Sequence, residues 1–106
     1  MLIHVIPARQ HVEVRQVDDL KRFSVTVVGE ASEEELERAL TPLARLESRT
    51  HAWVYIDRLR AACGRGDDAA WSQTFEAMVG FAASKGWVDE SGTALRAHLV
   101  YESAAD

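Results

Sequence analysis

The chain has 106 residues, 47% hydrophobic and 27% charged, and seventeen acids against twelve bases leave a net charge of -5. That length and balance fit one globular domain over 1–106 and exclude global disorder. The negative charge repels a phosphate backbone, so nucleic acid is not an expected partner, and a single cysteine excludes an internal disulfide or a multi-cysteine metal cluster.

The amino-terminal third reads as strands. Leu2 to Ile6 is β-branched and apolar, and it stops at Pro7, which cannot donate to a ladder. From His11 to Val17 the pattern alternates, with Val12 and Val14 facing one way and Glu13 and Arg15 the other. Arg22 to Val28 alternates again, with Phe23, Val25 and Val27 on one face, and Gly29 closes it. Short connections between these three segments predict an antiparallel meander.

A helix follows. Ser32 with Glu35 makes a capping box, and Leu36, Ala39, Leu40, Leu43 and Leu46 or Ala44 recur at helical spacing. Pro42 interrupts that stripe. It predicts either a kink or a break, with Thr41 capping a second short helix. Ala52 to Ile56 favours a strand by its β-branched and aromatic residues, with Asp57 capping a short helix through Cys63. A continuous helix from Thr50 is the rival. Asp67 or Asp68 opens a long helix with Trp71, Phe75, Met78 or Val79 and Ala82 on one face, and Lys85-Gly86 stops it. After a polar turn at 89–92, Thr93 to Glu102 makes the last strand, with Leu95, Ala97, Leu99 and Tyr101 sharing a face. Residues 103–106 read as a loose tail.

The predicted class is therefore α+β. The order is β-β-β-α-β-α-α-β, giving one mixed sheet of about five strands with helices on one face and the other face open or buried against a partner. Met1 to Ile6 is too short and lacks the basic flank of a signal peptide, and no apolar run could span a membrane. A reducing, cytoplasmic location is the expectation.

Chemistry leaves few marks. There is no phosphate-binding loop, no dinucleotide fingerprint, no H-E-x-x-H and no G-x-S-x-G, so no cofactor and no metal are expected. Arg58, Arg60 and Arg65, with Arg49 upstream, are broken up by acids and read as a mixed-charge surface. Cys63 reads as a packing residue, as does Tyr55. His4 in the first strand and His98 in the last could share a face if those strands were neighbours. With Tyr101, they form the candidate polar set of a pocket. Trp53, Trp71 and Trp87 are candidates for an interface or ligand surface.

Two functions from different classes follow. The first is a small, non-catalytic accessory module that self-associates, as a homodimer by default, or binds a protein partner. The second is a ligand-binding protein or modest enzyme using His98, His4 and Tyr101 between sheet and helices.

Overall fold

A computed structural model describes residues 1–103. Six strands form one mixed sheet: β1 (Leu2–Ile6), β2 (His11–Arg15), β3 (Ser24–Val28), β4 (Ala44–Leu46), β5 (His51–Tyr55) and β6 (Ala94–Glu102). Three helices accompany them: α1 (Glu33–Leu40), α2 (Ile56–Cys63) and α3 (Ala69–Ser84). Across the sheet the strands run β2-β1-β3-β6-β5-β4. The class is α+β, with six strands rather than the five expected. No helix among the described residues is long and apolar enough to cross a membrane.

The opening is not a meander. β1 and β2 are antiparallel, joined by a 3-10 turn at Pro7–Arg9, but β3 lies on the other side of β1 and runs parallel to it. The chain from Gln16 to Phe23 makes that crossing, and Gln16 adopts a left-handed φ of 55° to start it. The segment is tied down from two directions. The amino group of Met1 donates to the carbonyls of Asp19 and Arg22, and Trp71 Nε1 donates to the carbonyl of Val17 at 2.8 Å. Alternation fixes which residues face the core, but it carries no information about strand direction. A tether contributed by residue 71 is invisible from residues 1–28.

Pro42 accounts for the sixth strand. α1 begins as its sequence dictates: Ser32 Oγ accepts from the Glu35 backbone N–H, and the Glu35 carboxylate accepts in return. Leu36, Ala39 and Leu40 bury its apolar stripe. A proline ring at 42 would strike the carbonyl of Arg38 in a continuing helix, so α1 ends at Leu40. No second helix forms. The chain turns through Leu43, whose N–H donates to Leu40, and Ala44–Leu46 pairs with β5 as an edge strand.

The segment at 51–55 is a strand, paired on both sides, and α2 follows it with no loop between. Tyr55 occupies the N-cap position expected of Asp57, which instead sits in the first turn, where a carboxylate favours the helix dipole. Leu59 and Cys63 point into the core.

Inward residues of the strands form one layer: Ile3 and Val5, Val25 and Val27, Ala52 and Val54, then Leu95, Ala97 and Leu99. Buried residues of all three helices join that layer, so the helices share one face of the sheet. α1 and α2 are seated by three buried side chains each. α3 is different. Of its sixteen residues only Trp71 and Phe75 are fully buried, while Met78, Val79 and Ala82 are partly covered. The expected tail over 103–106 lies, apart from Ser103, outside the described residues.

Candidate functional site

β6 changes neighbours in mid-strand. From Leu99 onward it pairs with β3, through Val25, Thr26, Val27 and Val28. Before that, on the same side, it meets the segment after α3: Val88 bridges Leu95, and Arg96 N–H donates to the Trp87 carbonyl at 2.7 Å. Between the entry to β3 and Trp87 the sheet therefore splits, and a cleft of about 700 Å³ opens there. Openings where strand neighbours diverge are common ligand sites, and this volume is in their usual range.

Its walls are apolar. Leu20 and Phe23 come from the crossing segment, Met78 and Phe81 from α3, and Trp87 from just beyond it, with Leu95 and Ala97 beneath. Phe81 and Trp87 meet edge to face at 6.1 Å. Both stay open to water, Phe81 at 57% and Trp87 at 45% exposure. The stop signal at Lys85-Gly86 places Trp87 there. Gly86 takes a φ of 79°, its N–H reaches the Ala83 carbonyl, and Trp87 N–H reaches Ala82.

The polar groups of the cleft are all cations or imidazoles: Lys21, Arg96, His51 and His98. No carboxylate lines it among the described residues. His51 and His98 face each other across β5 and β6, their rings edge to face at 5.1 Å, and Nδ1 of His51 sits 2.8 Å from Thr50 Oγ1. Arg96 is neutralised by Glu47 at 2.8 Å, and that hydrogen bond holds the Glu47 carboxyl below the usual carboxylate range. Trp53 Nε1 donates to the same carboxylate at 3.0 Å. Among the described residues the Lys21 side chain makes no such ion pair.

His98, His4 and Tyr101 do not come together. β3 stands between β1 and β6, so His4 lies beside Thr26 rather than beside a β6 residue. Nδ1 of His4 is buried without a hydrogen-bond partner, 3.7 Å from Glu13. Tyr101 sits at the far end of β6 and donates to the Arg49 carbonyl at 2.7 Å, in a separate depression beside Gly29 and Glu30. The partner of His98 is His51, which no local spacing singles out. Only the register of β5 against β6 joins them.

The tryptophans divide three ways. Trp71 is core, stacked on Phe75 at 5.1 Å. Trp53 is half-buried on the face away from the helices, with the Arg45 guanidinium 5.6 Å from its ring. Trp87 is the cleft wall. Cys63 is buried with its Sγ 4.0 Å from Met1 Sδ, and burial pushes its thiol pKa up, which suits packing and not nucleophilic attack. Each arginine of the mixed patch has its own occupation. Arg65 pairs with Asp18 at 2.9 Å, Arg58 lies over Tyr55, and Arg60 lies over Phe75.

Asp89 holds the turn that carries Trp87 into place. Its carboxylate accepts from the backbone N–H groups of Thr93 and Ala94 and from Ser91 Oγ and the Arg45 guanidinium. Burial alone would raise its pKa, but these four donors outweigh it and bring the value down to about 2. An unfolded aspartate titrates near 3.9. The group therefore adds stability that is complete above about pH 4 and disappears as pH falls through about 2. Asp89→Asn should lower Tm at pH 7 by about 5 °C. In paired melts that gap should close as pH is lowered through this window. A gap of constant size down to pH 2 would contradict the assignment.

No protein-family model, no curated protein and no solved structure matches the chain.

Proposed function

We propose that the chain is a non-catalytic accessory module that self-associates, and that the outer face of α3 is the contact surface. The observation that carries this reading is the mismatch between what α3 is made of and how little of it is covered. Glu76 is its single charged residue in sixteen, yet only Trp71 and Phe75 are fully buried. The exposed side carries Ala70, Ala77 and Gly80 among Gln73, Glu76 and Ser84, a face with one charge where a solvated helix face ordinarily carries several. Phe81, 57% exposed at the end of the helix, and the small residues beside it leave apolar surface open to water, and each Å² of it covered by a partner is worth about 25 cal/mol.

A second copy of the same chain is the occupant that fits. Two molecules at a net charge of -5 repel, so a face carrying a single charge opposes their meeting least. A twofold axis brings the same patch from both copies together, and α3 is such a patch. Ala70, Ala77 and Gly80 on its outer side are exposed and small, which lets two helix axes approach to about 8 Å. Gly80 has nothing within 4 Å of where a Cβ would stand, so this face has free room in the single chain.

Sedimentation velocity over a wide concentration range tests the reading. The mass should rise from 11.8 kDa toward twice that value. A mass fixed at 11.8 kDa at several hundred micromolar would remove the reading.

A further inference from the structure

We infer that the cleft between the entry to β3, the end of α3 and β6 binds a small aromatic carboxylate. The inference does not depend on self-association.

Shape and charge each narrow the ligand. A volume of about 700 Å³ suits a small molecule and is too little for a folded partner. The walls offer three rings, Phe23, Phe81 and Trp87, with the thioether of Met78 beside them. Rings and sulfur favour contact with a flat aromatic body. Two of these rings are about half exposed, so an occupant would remove apolar surface from water at no cost in opening the site.

The sign of the polar groups selects the other end of the ligand. In a chain whose acids outnumber its bases, the cleft draws only Lys21, Arg96, His51 and His98, and no lining carboxylate. Glu47 already satisfies Arg96. Lys21 is the cation left to meet an anion, with the imidazoles of His51 and His98 as further donors. A carboxylate would gain charge-assisted hydrogen bonds here. An amine would meet like charge, and a neutral amide would gain the apolar contacts alone.

Calorimetric titration with naphthalene-2-carboxylate, its carboxamide and the corresponding naphthylmethylamine separates these cases. The carboxylate should bind saturably, one per chain, with the amide weaker by roughly tenfold and the amine weaker still. Lys21→Glu should weaken the carboxylate by roughly tenfold or more. Arg9→Glu makes the same change in net charge on the exposed 3-10 turn and should leave affinity within about twofold. Absence of saturable binding at millimolar ligand, equal binding of all three compounds, or equal losses in the two variants would each overturn the inference. Lys21 lies outside α3, so a loss of binding with sedimented mass unchanged concerns the cleft and not the proposed dimer.

Discussion

Trp71→Ala should lower the free energy of unfolding by about 3–5 kcal/mol, the range for deleting a large buried aromatic side chain. Trp71 is 5% exposed and its ring stacks on Phe75 at 5.1 Å, so removal leaves a cavity next to the most buried ring of the core. Its Nε1 also supplies the donor for the Val17 carbonyl, which ties the crossing segment between β2 and β3 to α3. Three losses therefore fall on one site: apolar burial, ring stacking and a long-range hydrogen bond. Small domains have only about 5–15 kcal/mol in all, so the variant should be the least stable single substitution considered for this chain. In urea its midpoint should fall by about 2 M or more. Trp87→Ala is the matched comparison, because Trp87 is 45% exposed and should cost about 1 kcal/mol or less. Equal midpoints for the two variants would show that α3 is not seated through Trp71.

Ala77→Arg should weaken self-association by roughly a hundredfold, because a twofold axis brings two like charges together in a desolvated contact. Ala77 is exposed in the single chain, so the substitution has nothing to displace within its own fold. Arginine is also a good helix former, so α3 should persist. The far-ultraviolet circular dichroism spectrum should match that of the parent while the sedimented mass falls back toward 11.8 kDa. A dimer as tight as the parent's would place the contact elsewhere. The edge strands β2 and β4 would then be the next surfaces to consider, since each offers unpaired backbone groups on one side.

Much of this fold is legible in the sequence because its signals are local. The capping box at Ser32 and Glu35, the Asp68 N-cap of α3, the stop at Lys85-Gly86 and the alternation of β6 each need only a few neighbouring residues. What escapes is non-local or competes with a stronger local pattern. β4 is three residues long and continues the leucine and alanine spacing of α1, so it reads as helix until Pro42 is allowed to end that helix outright. The parallel placement of β3 depends on contacts from Met1 and Trp71, and alternation alone cannot specify it. The same holds for the cleft. His98 could be singled out as a titratable strand residue, but its neighbour is set by the register of β5 on β6. The basic lining comes from three separate stretches of chain, and no composition count over a window could gather it.

α3 holds a more general lesson. Its apolar positions at Trp71, Phe75, Met78 and Ala82 describe a helix covering a sheet, and that is the role the sequence suggests. The opposite side holds alanines and a glycine among Gln73, Glu76 and Ser84, too little apolar area to register as a second stripe. Their exposure, next to that of Phe81, becomes visible only when the chain is folded and the helix proves to be seated through two residues.

Cysteine cross-linking along that side tests its role directly. Cysteines introduced one at a time as Ala70→Cys, Ala77→Cys and Gly80→Cys are compared with Arg38→Cys on the exposed side of α1. Native Cys63 is buried with a raised thiol pKa and so does not compete. Under mild oxidation at least one of the three should form a covalent dimer well before the Arg38→Cys control does. Cross-linking no faster than that control at all three positions would mean that this helix is not where two copies meet.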